Sequence, residues 1–581
     1  MRNRIRSVIA VFAAVTLLLG GCAGKKAQSA EQAAAESTEQ SAEQSTERSE
    51  EQSAAVSAAD LPDVPEAVPP AADDKYRTTY EIFVGSFADS DGDGTGDLGG
   101  ILNRLDYIND GDPEGGADLG MTGLWTTPVF PSPTYHKYDV SDYQAIDPQF
   151  GGMEDFEALL AACHERGMSW ILDLPINHTS VEHPWFRQAV QYLTSLKPEE
   201  EPVFEDCPYV WYYRFAEEQY EGYVPLSESG IAEGPDGRWF YEARFWSGMP
   251  DLNLDTEEVR SELTDIVKFW IDKGIDGFRL DAVTSYHTAN NEANIAFLTW
   301  FMETVRSLKP DIYVVGEAWE NQNVYSEYYR SGIDSLFDFA FANAEGIVQK
   351  TANGKRSAAA FAEALRDEEE LYAGFNENYV NAPFYTNHDM ARSAGFYTKD
   401  AAARTKLAGA LNLLMTGNAY VYYGEELGMK GSGKDENKRA PMYWTASPDG
   451  NEGMCTGPAD MDAVAMMYPA LDEQMKDPGS IWNYYRQAVA VRNHFPAIAK
   501  GKTVPVAEMS DDNVCAMIRE AADGSRVLIV INTSKEALSV EISGDAASVA
   551  GKALFLCAGE EGGSMENGKL SLPGFGIAVI G

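Results

Sequence analysis

Positive charge is in short supply in this chain: 45 Lys and Arg stand against 91 Asp and Glu, a formal net charge of −46 over 581 residues. Three Arg fall in the first 22 residues, and residues 25–75 hold twelve acids against four bases, which leaves −41 on the remainder. A surface of that sign has nothing with which to neutralise phosphates, so nucleic acid is excluded as a partner and a neutral ligand is favoured. Cysteine is scarce as well. Beyond Cys22, five remain, at 163, 207, 455, 515 and 557, with no C-x-x-C spacing. That odd count argues against a disulfide framework or a zinc site and for buried free thiols. The apolar run from Val8 to Leu19 is too short to cross a hydrocarbon layer of roughly 30 Å as a helix.

What surrounds that run is informative. Arg2, Arg4 and Arg6 precede it and Leu19-Gly20-Gly21-Cys22 ends it, so residues 1–22 read as an export signal. Its end resembles the lipobox of bacterial lipoproteins, in which the Cys, here Cys22, is acylated and becomes the new N-terminus. Residues 23–75 are rich in Ala, Glu, Gln and Ser and close on LPDVPEAVPP. Such a segment cannot bury enough apolar surface to offset its ordering entropy, and we expect a disordered tether. The expected location is the extracellular face of the cell membrane, with the lipid anchor as the sole membrane contact.

From residue 76 onward short apolar runs alternate with helical patterns, the signature of an α/β fold with a parallel sheet. Eight runs are predicted strands: Tyr80–Phe87, Gly123–Val129, Trp170–Ile176, Gly277–Val283, Ile312–Ala318, Ser335–Phe341, Pro383–His388 and Ala419–Gly424. Eight such runs predict a (β/α)₈ TIM barrel over residues 76–500. The third and fourth lie more than 100 residues apart, which places an inserted subdomain at about 179–250. Period-two runs such as Val527–Asn532 predict a C-terminal all-β sandwich domain over 501–581.

In such a barrel the C-terminal strand ends form the active-site mouth. The third predicted strand ends in Asp173-Leu-Pro-Ile-Asn177-His178, the fourth carries Arg279 and Asp281, the fifth ends in Glu317, and the seventh in Asn387-His388-Asp389. Singly, Asp281 could pair with Arg279 and Glu317 could cap a helix. Jointly they supply what glycoside hydrolysis needs: one carboxylic acid to protonate the leaving oxygen and one carboxylate to attack or to activate water. On the loop after the first strand, Asp89, Asp91, Asp93, Thr95 and Asp97 alternate with glycines, an oxygen-rich pattern suited to Ca²⁺, although position 12 is Gly100 rather than the Glu of an EF-hand.

The ordered segments GLWTTP, DLPINH, MPDLN, GFRLDAV, GEAW and FYTNHD resemble those of the α-amylase family, glycoside hydrolase family 13, over essentially all of residues 76–581. The resemblance implies a retaining hydrolase of α-glucans such as starch and malto-oligosaccharides. Asp281 would be the nucleophile, Glu317 the acid/base and Asp389 the carboxylate that stabilises the transition state. Tyr138, Asp139, His178, Arg279, His388 and Arg392 would contact substrate, with Asp173 and Asn177 in support. Similar loops in the family hold one structural Ca²⁺. Thr284 and Ser285 replace the Lys-His pair that often follows the nucleophile, which removes the expectation of a second calcium. Met249–Asn253 and Ala282 resemble α-1,4-acting members near the branch between neopullulanases and oligo-1,6-glucosidases. The alternatives are an exo-acting α-glucosidase, an oligo-1,6-glucosidase, a neopullulanase, or a catalytically dead glucan-binding lipoprotein. That last reading requires Asp281, Glu317 or Asp389 to be missing, and all three are present.

Overall fold

The computed structural model describes residues 70–581 except 72–73, 113–115, 232–236, 448–452 and 560. The signal, Cys22 and the tether up to residue 69 lie outside the described residues. Strands β1 (Thr78–Ile82), β2 (Gly123–Thr126) and β3 (Ser169–Leu174) precede the insert. After the insert's β4 (Phe215–Ala216), β5 (Tyr223–Pro225) and β6 (Phe240–Glu242), the barrel resumes with β7 (Gly277–Leu280), β8 (Tyr313–Gly316), β9 (Ser335–Leu336) and β10 (Ala419–Tyr422). All seven barrel strands pair in parallel in the order β10-β1-β2-β3-β7-β8-β9.

The eighth position is filled without a regular strand. Phe337 bridges to Ala382 and Phe384 to Tyr420, so residues 382–384 close the ring between β9 and β10. Pro383 is the reason that a predicted strand is reduced to two bridges: it has no amide to donate to a ladder, and only its carbonyl is used, accepting from the Tyr420 amide at 2.8 Å. The first predicted strand is likewise shorter than expected. Its ladder with β2 ends at Ile82, after which the Ser86 amide turns back to the Phe83 carbonyl at 3.1 Å.

Inside the ring Trp125, Ile171, Tyr313, Val315, Phe337, Phe384 and Tyr420 pack together and form the floor below the mouth. Outside it, helices such as Met153–Glu165, Glu257–Lys273 and Asn291–Leu308 bury apolar faces against the strands. The insert pairs a helix, Pro184–Ser195, with the antiparallel sheet β4-β6-β5, and Phe186, Tyr213, Trp239 and Tyr241 are its buried core.

The C-terminal domain has two antiparallel sheets. One is β11 (Lys502–Pro505), β12 (Val514–Glu520), β13 (Arg526–Asn532), β18 (Ile577–Ile580) and β15 (Ala553–Leu556); the other is β14 (Leu538–Glu541), β17 (Lys569–Leu572) and β16 (Ser564–Glu566). Alternation along β12 decides what each face buries: Cys515 and Met517 join the barrel's core, while Ala516 and Ile518 join a separate core between the two sheets. The five cysteines are free thiols. No helix among the described residues is long and apolar enough to cross a membrane.

Candidate active site

Strand register brings the central carboxyls together. Leu280 of β7 pairs with Gly316 of β8, and the next residue on each strand is Asp281 and Glu317. On the other side of β7, Arg279 pairs with Asp173 of β3. The fully buried Arg279 is therefore surrounded: one terminal nitrogen lies 2.9 Å from Asp173 and 2.7 Å from Asp281, the other 2.6 Å from Glu317. The chain then makes a strained turn, because Ala282 has φ +46° and points its amide at Glu317 Oε2, 3.3 Å away. Alanine limits the cost of that left-handed conformation, which a β-branched residue would raise.

One guanidinium cannot balance three carboxylates out of water. Burial, opposed by Arg279 and reinforced by Asp281 and Asp389, pushes Glu317 up to about 8, so it holds a proton at neutral pH. Burial also raises Asp173 to about 6 against the pull of Arg279. Asp389 shows the opposite balance. Burial would raise it, but His388 and Arg439 hold it well below the usual carboxylate range. His388 is itself raised to about 10, since Asp389 at 3.1 Å and Glu81 at 2.7 Å outweigh its burial.

A cavity of about 570 Å³ opens at this mouth, within the range of small-molecule sites, and Asp281, Glu317, Asp389, Tyr138 and His178 line it. The Tyr138 hydroxyl sits 2.9 Å from Asp173 and 2.7 Å from His388, and its ring stacks on His388 at 5.5 Å. Four residues expected to touch substrate, Asp139, Arg279, His388 and Arg392, do not line the cavity. His388 is fully buried beneath Tyr138 and acts on the mouth through Asp389. Asp139 turns to the hydroxyls of Ser132 and Thr134 and orders that loop. Arg392 is spent on the backbone carbonyls of Lys438 and Tyr423 and lies over the rings of Tyr422 and Tyr423. Arg279 and Asp173 stand behind the wall, and Asn177 supports it by donating to Asp251 at 3.1 Å.

Several lining residues are not among the expected substrate contacts, and one of them, Arg439, carries no sequence signal. Arg439 pairs with Asp389 at 2.8 Å and donates to the Tyr135 hydroxyl at 2.7 Å. It follows the short helix Asp435–Lys438, whose Asp435 and Glu436 also line the cavity, 50 residues beyond Asp389. Trp319, half exposed, stacks on Phe339 at 5.1 Å, and Phe245 and Trp246 are 48% exposed at the rim. These aromatics provide apolar faces of the kind that sugar rings stack on.

The loop after β1 brings oxygen atoms of Asp89, Asp91 and Asp97 within 4.8 Å of one another. Asp89 accepts the Gly92 and Gly94 amides and Asp97 the Ser90 and Gly100 amides, which fixes these carboxylates in the loop, and their hard oxygens are the donor type that calcium takes. Asp93 stands outside this group and accepts the Thr95 amide at 2.6 Å. Gly92 and Gly94, at φ +86° and +92°, permit the tight winding.

A carboxyl held as an acid beside a second carboxyl, at the bottom of an aromatic-rimmed cavity, is what cleaving a glycosidic bond demands. The class that barrel and site define is therefore the glycoside hydrolases. Within that class the chain belongs to the α-amylase family, whose catalytic-domain model matches residues 81–501. α-Amylase 3 of Dictyoglomus thermophilum is 37% identical over 474 residues, covering 79% of this chain and 85% of the relative. The glucan 1,6-α-glucosidase of Streptococcus pneumoniae is 30% identical over 527 residues, covering 81% and 93%. Among solved structures, Amy13B of Eubacterium rectale is 43% identical with a TM-score of 0.83, covering 89% of this chain and 98% of that one.

Proposed function

We propose that this enzyme hydrolyses α-1,4-glucosidic bonds in starch and malto-oligosaccharides with retention of configuration. The observation that carries this reading is the single guanidinium of Arg279 holding Asp281 and a protonated Glu317 side by side. Glu317 donates its proton to the glycosidic oxygen as Asp281 attacks the anomeric carbon; that C–O bond breaks and a glucosyl ester forms. Glu317, now a carboxylate, takes a proton from water, which attacks the same carbon and releases Asp281. Asp389, kept anionic by His388 and Arg439, stabilises the positive charge that develops on the ring. The α-1,4 assignment is supported by the higher identity to an α-amylase than to a 1,6-glucosidase and by Ala282. Maltoheptaose and panose digested side by side test it. Degradation of maltoheptaose with the α-1,6 bond of panose intact is the expected result; faster release of glucose and maltose from panose would overturn it.

Asp89, Asp91 and Asp97 are proposed to hold one Ca²⁺, whose role is to brace the loop rather than to take part in chemistry. At a calcium concentration about 100 times Kd the ion would contribute ~2.7 kcal/mol. EDTA should therefore lower the melting temperature by several degrees, and an unchanged melting curve would count against the site. The export signal and Cys22 support an extracellular, lipid-anchored enzyme. Membrane fractionation checks this: Cys22→Ser should move the protein to the soluble fraction, and continued membrane association would contradict the anchor.

A further inference from the structure

A second cavity, of about 240 Å³, shares no residue with the catalytic one. It lies between the loop bearing Asp142 and Gln144, the start of the helix Pro184–Ser195, and the helix Glu257–Lys273, which contributes Glu262 and Asp265. One wall is the half-buried indole of Trp185, set against His183 at 4.3 Å and edge-on to Tyr212 at 5.2 Å. The Tyr212 hydroxyl donates to Glu262 at 3.2 Å and fixes that carboxylate at the rim.

His183 is the observation that points to a ligand. It is 5% exposed and lines the cavity. Its Nδ1 accepts the Trp185 amide at 3.2 Å, which leaves the proton of the neutral ring on Nε2. Burial lowers the ring to about 3, so it stays neutral across the working pH range. Among the described residues no hydrogen bond to Nε2 accompanies the one at Nδ1, so a largely buried ring in the cavity wall keeps a donor that a ligand oxygen can meet.

We infer that this cavity is a second saccharide-binding pocket, taking a single glucosyl residue of an α-glucan outside the catalytic cleft. A pyranose meets all three features at once: an apolar face for the indole, hydroxyl donors for Asp142, Glu262 and Asp265, and a hydroxyl acceptor for His183 Nε2–H. A cation is a poorer match. The one group among the described residues that brings three acidic, His or Cys ligand atoms within 4.8 Å is Asp89, Asp91 and Asp97, so the carboxyls here are too widely spread to converge on an ion. An anion is disfavoured by the three acids. The two sites share a scaffold: the hydroxyl of Tyr143, in the wall of this pocket, lies 2.7 Å from the carbonyl of His178, whose side chain lines the catalytic cavity. A polymer held here would be retained at the enzyme between cleavage events.

The choice of an α-glucan rests on the functional reading above, and native electrophoresis of the full chain in gels containing soluble starch separates the two. Trp185→Ala should weaken starch retardation threefold or more while kcat/KM on maltotriose stays within twofold of the parent. The double variant Gln144→Ala/Asp265→Asn changes exposed side chains only and should do the same, so it decides the matter if Trp185→Ala fails to fold. Retardation weakened less than threefold in the folded variants overturns the pocket, as does a parallel fall in maltotriose turnover. A melting temperature raised by CaCl₂ in the parent but not in the double variant marks a cation site and also overturns it. A parent enzyme that cannot cleave maltoheptaose, yet is retarded through Trp185, refutes the catalytic reading and leaves the pocket standing.

Discussion

Replacing Asp281 with Asn is expected to lower kcat/KM on maltoheptaose by about 10⁴-fold or more, with the melting curve little changed. The amide is nearly isosteric with the carboxylate, so the turn at Ala282 and the packing of β7 survive. Arg279 keeps its contacts to Asp173 and Glu317, which leaves no buried cation stranded. What disappears is the nucleophile, for which no neighbouring group can substitute: Glu317 is occupied with the leaving oxygen and Asp389 is tied to His388 and Arg439. Initial rates by reducing-sugar release measure the effect, and a variant keeping more than about a hundredth of the activity would refute the assignment.

Glu317→Gln carries the second large effect, a loss of about 10²–10⁴-fold on maltoheptaose, the range typical of removing a general acid. Its signature is the pH profile. Glu317 works in its protonated form and burial lifts it to about 8, so the parent's rate should fall as pH rises through that region. The glutamine variant should lack this alkaline fall. It should also respond to the leaving group. With glucosyl fluoride, which departs without a proton, the first step is spared, but the water of the second step loses its base. The glucosyl enzyme should then accumulate.

Much of this site is legible in the sequence because barrel geometry turns chain order into space. Asp173, Arg279, Asp281 and Glu317 sit at or just past the ends of consecutive strands, and parallel register alone makes them neighbours. What stays hidden depends on contacts that strand order does not encode. Arg439 reaches Asp389 from 50 residues away and Tyr135 from 304, through a long excursion after β10 with no repeat or motif. His388 and Arg392 have residue types suited to sugar contact, but their partners are Glu81 and backbone carbonyls, which hold both behind the cavity wall. The insert's aromatics show the same limit. Trp239 and Trp246 are alike in composition and setting, yet one is core and the other rim, 6% and 48% exposed. Pro383 opens a run predicted as a strand, yet with no amide to donate there it leaves only isolated bridges at Ala382 and Phe384.

The covalent step at Asp281 is the centre of the account. Mass spectrometry of Glu317→Gln after exposure to α-glucosyl fluoride, followed by peptide mapping, tests it most directly. The expected result is a gain of one hexose residue on the peptide containing Asp281, lost in the double variant with Asp281→Asn. A hexose on another residue, or turnover of the fluoride to the inverted anomer with no adduct, would contradict it.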